Sequence, residues 1–208
     1  METSSDGLVD ISSLKDGDLV KTFDITEQKW KFSKFITYIH KDSSIVARYI
    51  SVRTGHNQTL LISPLHLIAA KKKLHTSRDT DFEFIFAKEL KRGDTIVAES
   101  GFEVVSEISE VFEKGAYAPL TESGTVLVDS ILASCYANTN WHEAAHFVFK
   151  PIIKLSSVLN IERELIGTAG AVVGEAGKVE LPESVFWYAR LIHKLVPWIP
   201  FSSDYVFF

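Results

Sequence analysis

The chain has 208 residues, of which 46% are hydrophobic, so it is long enough to form one large domain or two small ones with a true core. Its formal net charge is -5 and it has no block of basic residues, which argues against a nucleic-acid partner. The first residues are polar, unlike a signal peptide, and no apolar run is long enough to span a membrane as a helix.

One phrase occurs twice in the chain. The two copies are Leu14-Lys-Asp-Gly-Asp-Leu-Val20 and Leu90-Lys-Arg-Gly-Asp-Thr-Ile-Val97, which start 76 residues apart (90 minus 14). Each Gly-Asp pair predicts a tight corner that leads into an apolar strand. Because there are two copies and not an array, we predict a duplicated β-unit whose halves fold against each other and share any site between them.

Between Leu19 and about Tyr136 the sequence is typical of short β-strands separated by turns. Apolar or aromatic runs lie at 30–38, 44–52 and 59–70, the last broken by Pro64. Aromatic residues at 82, 84 and 86 predict a strand with one aromatic face, and further strands are predicted at 102–112 and 125–132. This pattern predicts an all-β sandwich or a closed, Greek-key-like body.

The character of the sequence changes after Tyr136. Residues 141–159 and 183–196 have apolar residues at helical spacing, with Pro151 expected to kink the first helix. The segment between them is rich in glycine, and the last twelve residues are rich in aromatic side chains. We therefore predict two domains, 1–137 and 138–208, the second helical. We expect its aromatic tail either to dock on the body or to meet an apolar ligand or a membrane surface.

The segment His142-Glu143-Ala-Ala-His146 fits the His-Glu-x-x-His pattern of zinc peptidases. On a helix the two imidazoles would share one face and one zinc ion, with Glu143 as general base on the metal-bound water. No companion motif supplies a third ligand, and the context of a larger α/β protease is absent. We therefore favour a histidine pair packed or solvated on a helix, predict no metal or cofactor, and keep the zinc peptidase as an alternative.

A second candidate site is Ser63-Pro64-Leu65-His66. A hydroxyl and an imidazole three residues apart across a proline turn can converge on one backbone amide. The imidazole can protonate the departing nitrogen, and the hydroxyl can bind the carbonyl oxygen or the imidazole. The spacing is common, and a capped turn with a surface histidine has the same sequence.

Cys135 is the single cysteine, so no disulfide can form within the chain. Three readings stay open from the residues alone: a reducing compartment, a thiol with chemistry of its own, or a disulfide partner outside this sequence.

The stretch Ala118-Pro-Leu-Thr-Glu-Ser-Gly-Thr-Val-Leu-Val-Asp-Ser-Ile-Leu-Ala-Ser-Cys-Tyr-Ala137 closely resembles the end of the Hint domain in hedgehog proteins and their nematode relatives. The resemblance extends back through 90–97, 63–66 and 14–20 and covers most of residues 3–137. It implies a pseudo-two-fold, disc-like all-β hedgehog/intein fold, followed by an α-helical tail that recognises the sterol or other adduct.

The resemblance also implies an activity. A Hint domain of this kind follows a secreted signalling domain, and its first residue is a cysteine that attacks the preceding carbonyl to form an internal thioester. A second nucleophile, cholesterol in hedgehogs, then releases the signalling domain as a lipid ester. The implied partners are the upstream domain in cis and a lipid acceptor, and the implied compartment is the secretory pathway.

Four residues inherit roles from the resemblance. The family's Thr-x-x-His motif falls on Ser63, which would position the scissile amide, and on His66, which would be the general acid toward its nitrogen. The family's later cysteine falls on Cys135, which would exchange a disulfide with the first cysteine. The family's acceptor-activating aspartate falls on His40, which keeps a possible general base but changes its charge and reach.

The chain departs from the family pattern in two ways. The first cysteine would lie a few residues before Met1, so we expect that the chain as given is inactive, as a truncated piece rather than the product of a degenerate gene. With His40 in place of aspartate, the acceptor is open to another alcohol, another lipid or water, which resembles the nematode proteins more than the hedgehogs proper.

The tail resembles the family's adduct-recognition region less closely, although His146 and Pro151 fall where hedgehogs also place a histidine and a proline. From it we predict acceptor-binding residues that are mainly aromatic or apolar: Trp141, His146, Phe186, Trp187 and Leu191. A non-catalytic lipid-binding remnant is a further alternative. Intein-like splicing is disfavoured because the chain lacks the usual His-Asn end.

Overall fold

The computed structural model describes residues 1–71 and 81–137, and this part of the chain is built from β-strands and two short 3₁₀ turns. The strands are β1 (Glu2–Thr3), β2 (Gly7–Leu8), β3 (Leu19–Asp24), β4 (Lys29–Thr54), β5 (Thr59–Ile62), β6 (His66–Lys71), β7 (Phe82–Phe86), β8 (Thr95–Ala98), β9 (Gly101–Thr121), β10 (Thr125–Val128) and β11 (Ile131–Ala137). The 3₁₀ turns are Ile11–Ser13 and Ala87–Glu89. The all-β prediction is confirmed for these residues.

The predicted helices, the 137/138 domain boundary and the His-Glu-x-x-His segment fall wholly or partly outside the described residues. Among the residues that are described, none belongs to a helix with the length and apolarity needed to cross a membrane.

The two Gly-Asp corners have the same local structure. Gly17 and Gly93 both have φ of +89°, in the left-handed region that glycine adopts without strain. In each corner the aspartate side chain accepts the backbone N–H of the lysine three residues earlier, at 2.8 Å for Asp18 and 2.9 Å for Asp94. A 3₁₀ turn and a buried leucine precede each corner. The duplicated β-unit predicted from the sequence is therefore present.

Alanine at either corner is expected to destabilise the fold by about 1–2 kcal/mol, the cost of a left-handed residue with a Cβ. A Cβ on Gly93 would meet nothing within 4 Å, and one on Gly17 would meet only Lys34 Cε at 3.8 Å, so the cost is conformational. Gly55→Ala is the control, because Gly55 lacks a left-handed φ and its Cβ would contact Val104 O at 3.9 Å. Urea unfolding should show a lower free energy of unfolding for the two corner variants and little change for Gly55→Ala. An equal decrease in all three variants would contradict a conformational cost at the corners.

The two halves exchange strand segments through β4 and β9. The first part of β4 pairs with β3 and with the end of β9, whereas its last part pairs with β5 and with the first part of β9. The backbone N–H of Phe35 donates to the first corner at 2.7 Å and that of Val105 to the second at 2.8 Å. Their ladder partners, Thr121 and Thr54, therefore occupy equivalent places in the two halves.

Three strand boundaries differ from the sequence-based prediction. The strand predicted at 102–112 extends to Thr121 as β9. The runs at 30–38 and 44–52 belong to one strand, β4, whose ladder with β9 shifts register near residues 36, 39 and 43–45. The predicted strand at 125–132 is instead a hairpin of β10 and β11. Asp129 and Ser130 at its tip have φ of 49° and 63°, the left-handed pair that a tight two-residue turn requires.

The core lies between the halves and includes the central strands β6 and β11. Its fully buried side chains come from both halves and include Val20, Phe35, Val52, Leu67, Ile68, Ile96, Leu120, Ile131 and Leu132. Burying one such aliphatic side chain stabilises the fold by about 1.5–3 kcal/mol. Since β6 and β11 are buried almost throughout, residues at their ends are held on rigid supports.

Candidate functional site

Ser63 and His66 form a short turn between β5 and β6. The backbone N–H of His66 donates to Ser63 O at 3.0 Å, and the Ser63 hydroxyl forms a close hydrogen bond with His66 Nδ1. Pro64 fixes the backbone between them, and its carbonyl accepts the N–H of Lys88 at 3.0 Å. The hydroxyl and the imidazole therefore act as one unit.

Burial lowers the pKa of His66 to about 4, so the ring is neutral at pH 7. When the Ser63 hydroxyl donates to Nδ1, the single proton of the neutral ring lies on Nε2. That nitrogen can then donate to a carbonyl oxygen or an amide nitrogen within hydrogen-bonding distance. When Nδ1–H instead donates to the Ser63 oxygen, Nε2 is unprotonated and can accept a proton.

Cys135 lies on β11 and is buried, with its backbone N–H donating to Gly124 O at 2.9 Å. Its Sγ is 3.5 Å from Thr121 Oγ1, and this threonine hydroxyl also donates to Thr125 O at 2.8 Å. Burial raises the pKa of Cys135 to about 11, so the group is a thiol and not a thiolate at neutral pH.

The strands that carry His66 and Cys135 are neighbours in the sheet. Ala137 on β11 pairs with His66 on β6, and Ala133 pairs with Ile68, with a register irregularity between the two pairs. Cys135 is two residues from the ladder partner of His66, about 7 Å along the strand. Irregular ladders of this kind are frequent beside active sites. The structure therefore brings Ser63, His66 and Cys135 to one region.

His40 lies on β4 and pairs with Ala118 on β9. Three residues further along β9, about 10 Å at the usual rise, is Thr121, the residue that contacts Cys135. The structure thus places His40 on the strand beside β9, about 10 Å from the level of Thr121, and not beside the turn of Ser63 and His66. Burial lowers the pKa of His40, and the nearby Asp42 carboxylate partly opposes that shift.

Two residues beside this site, Thr121 and Asp42, were not predicted from the sequence. Thr121 lies within the stretch 118–137 and could have been singled out as a buried hydroxyl in an otherwise apolar strand end. Asp42 follows His40 by two residues, the spacing that places strand side chains on one face.

Five predicted acceptor-binding residues lie outside the described part of the chain: Trp141, His146, Phe186, Trp187 and Leu191. The zinc motif at 142–146 lies there as well. Within residues 1–71 and 81–137, no three His, Cys, Asp or Glu side chains form a group that could hold a metal ion.

The chain is similar to several known proteins. The Hint module family matches residues 1–200 of the chain. Warthog protein 6 of Caenorhabditis elegans is 31% identical over 162 residues, covering 76% of this chain and 26% of the relative. Sonic hedgehog protein of Xenopus laevis is 29% identical over 148 residues, covering 68% of this chain and 33% of the relative. The chain thus spans a third or less of the length of these relatives.

Solved structures share the fold at low sequence identity. A DnaB intein from Synechocystis superposes with a TM-score of 0.53 at 12% identity, covering 67% of this chain and 94% of the intein. A DnaB mini-intein variant gives a TM-score of 0.54 at 11% identity, covering 67% of this chain and 91% of the mini-intein. These structures show the fold, and the family match and the relatives show that the chain belongs to the Hint family of autoprocessing domains, as the Hint domain of a hedgehog-related protein.

Proposed function

We propose that this chain is the self-cleaving module of a longer precursor. It releases an upstream secreted signalling domain through an internal thioester and transfers that domain to a sterol, another lipid or a small nucleophile. The observation that carries the proposal is the hydrogen bond between Ser63 and His66 Nδ1, beside the strand of Cys135. The hedgehog relatives support an upstream domain in cis and a place in the secretory pathway.

In the first step, a cysteine that precedes Met1 in the precursor attacks the carbonyl of the residue before it. A carbon–sulfur bond forms and the carbon–nitrogen bond breaks, leaving a thioester and a free amine. With the ring proton on Nδ1 and donated to the Ser63 oxygen, Nε2 of His66 accepts the proton that the thiol loses and delivers it to the departing nitrogen. Ser63 keeps the ring in the orientation that this transfer needs.

In the second step, the acceptor attacks the thioester carbonyl and the cysteine thiolate leaves. His40 takes the proton of the acceptor hydroxyl, and the thiolate recovers a proton afterwards. Cys135, a buried thiol with a raised pKa, is a poor acyl nucleophile at neutral pH. We therefore assign it no part in the attack on the scissile carbonyl. The disulfide with the first cysteine, which the family resemblance implies, would form by exchange with an external disulfide, which is reduced in turn.

The direct test joins three parts to Met1 of the whole chain: a test domain, the family's first cysteine, and the few residues that follow this cysteine in a hedgehog relative. Dithiothreitol or hydroxylamine should release the test domain, because both attack a thioester; gel electrophoresis and mass spectrometry measure the release. The same fusion with alanine in place of the added cysteine is the control and should stay intact. No release from the cysteine fusion would identify the chain as a non-catalytic remnant.

Ser63 supplies a separate test within that fusion. Ser63→Ala should slow dithiothreitol-induced release about tenfold, because the ring loses the partner of Nδ1, whereas Ser63→Thr keeps the hydroxyl and most of the rate. Ser106→Ala removes a hydroxyl that is bound to backbone carbonyls away from the turn and serves as the matched control. Equal rates for Ser63→Ala and Ser106→Ala would remove Ser63 from the site.

A further inference from the structure

His40 and Asp42 lie on one face of β4. Their ladder partners on β9 are Ala118 and Ala116, with a regular register between the two pairs. Residues two apart on a strand point the same way and are about 7 Å apart at their Cα atoms. The opposing residues contribute only methyl groups, so no large side chain of β9 lies between the imidazole and the carboxylate.

The carboxylate of Asp42 is held in place by the backbone that follows it. Its Oδ1 accepts the N–H of Ser44 at 2.7 Å, the Ser44 hydroxyl at 2.7 Å and the N–H of Ile45 at 3.2 Å. All three bonds go to one oxygen, so Oδ2 is left out of them. The ladder shifts register directly after Asp42, and this bulge is what turns the backbone back onto the side chain.

Two neighbouring titratable groups, Lys41 and Tyr117, lie on the opposite face. Lys41 pairs with Tyr117, and its Nζ lies 4.3 Å from the centre of the Tyr38 ring. The same Nζ donates to Ser12 O at 2.8 Å, so the lysine is directed away from the imidazole. On the face that carries His40 and Asp42, the paired residues of β9 are alanines, which carry no charge.

Electrostatics agree with this placement. Burial lowers the pKa of His40, and the charge of Asp42 acts in the opposite direction. The pKa of Asp42 is itself lowered, first by the hydrogen bonds from Ser44 and also by His40. Asp42 is therefore ionised at neutral pH and stabilises the protonated form of the ring.

We propose that Asp42 is a positioning residue for His40, whose carboxylate orients the imidazole and stabilises it as it takes the proton of the incoming nucleophile. This rests on the function proposed above. An acceptor O–H bond breaks, its proton passes to the ring, and its oxygen forms the bond to the thioester carbon as the thiolate leaves. A base oriented by a carboxylate is a recurring arrangement in acyl transfer.

The test uses the cysteine fusion with Asp42→Asn, which keeps Oδ1 as an acceptor and so preserves the turn. Release without added thiol, in buffer alone and with cholesterol, should fall about tenfold, a small part of what a general base supplies. Release by dithiothreitol should not change, because this thiol attacks as its own thiolate. Asp16→Asn removes the same charge at an exposed place and is the matched control.

A titration of His40 by NMR gives a readout that does not depend on cleavage. In Asp42→Asn the pKa of His40 should fall, because burial then acts unopposed, whereas Asp16→Asn should leave it unchanged. If the pKa of His40 is unchanged in Asp42→Asn, the role of Asp42 is overturned and the proposed self-cleavage is not affected. If Ser44→Ala slows release without added thiol as much as Asp42→Asn does, the effect comes from the turn that Asp42 holds, and the role of Asp42 toward His40 is again overturned. A fusion that never cleaves overturns the proposed function, and the activating role with it.

Discussion

Alanine in place of His66 is expected to lower the rate of dithiothreitol-induced release by about 10²–10⁴-fold, the range of general acid–base catalysis. The neutral ring is the group that would carry the proton from the attacking thiol to the departing nitrogen, and its Nδ1 is already bound to Ser63. Without it the amide nitrogen must leave unprotonated. The measurement is the time course of release from the cysteine fusion at pH 7.

His56→Ala is the matched control for this variant. The His56 side chain is 80% exposed and pairs with Glu103 at 3.2 Å, on a turn away from β6. It should cleave at the rate of the parent. Near-ultraviolet circular dichroism of both variants checks that the core is retained. A His66→Ala fusion that is folded and cleaves as fast as His56→Ala would refute the assignment of His66.

Acid is expected to destabilise the module through His66 before its carboxylates are protonated. The ring has a pKa of about 4 in the folded chain and about 6.5 when unfolded, so between these values the unfolded chain binds the extra proton. The free energy of unfolding is therefore unaffected by His66 above pH 6.5 and falls as the pH drops toward 4. The full difference corresponds to about 3 kcal/mol, which solvent contact of the half-buried ring reduces to about 2 kcal/mol.

Urea unfolding at several pH values, compared with His66→Gln, measures this contribution. The parent should lose stability between pH 6.5 and 4.5, and His66→Gln should lose less by about 2 kcal/mol. Burial raises the pKa of Glu103, but hydrogen bonds from Ser100, Thr54 and His56 outweigh it, so its pKa is lowered overall. That carboxylate acts below pH 4.5 in both chains. If the two chains lose stability in parallel between pH 6.5 and 4.5, the ring of His66 is not kept neutral by the fold.

The fold could be predicted from the sequence where local rules decide it. The corners at Gly17 and Gly93 need a left-handed residue followed by a strand, and both requirements are written in adjacent residues. The exchange of β4 and β9 between the halves could not be predicted, because it depends on which distant segments pair. The register shifts of β4 and the hairpin at Asp129 and Ser130 were not predicted for the same reason, because the local pattern does not specify how strands pair.

In the candidate site, too, local contacts are easier to predict from the sequence than contacts between paired strands. The three-residue spacing and the proline allowed the Ser63 hydroxyl to bind either a carbonyl oxygen or His66, and the structure shows the bond to His66. The contact of Thr121 with Cys135 joins two strands and becomes visible only once they pair. Asp42 stands two residues after His40 in the sequence. Only the strand pairing shows that alanines lie opposite both residues, so that no large side chain of β9 separates them.

The pairing of β11 with β6 sets a time for self-cleavage in the proposed precursor. A polypeptide leaves the ribosome from its amino terminus, so β6 emerges long before β11, the last of the described strands. Until residue 137 has been translated, the histidine of β6 lacks its neighbour and the scissile bond has no finished catalyst beside it. A nascent chain therefore keeps its signalling portion attached throughout translation of the strands, and release begins only after the whole β-body has been made.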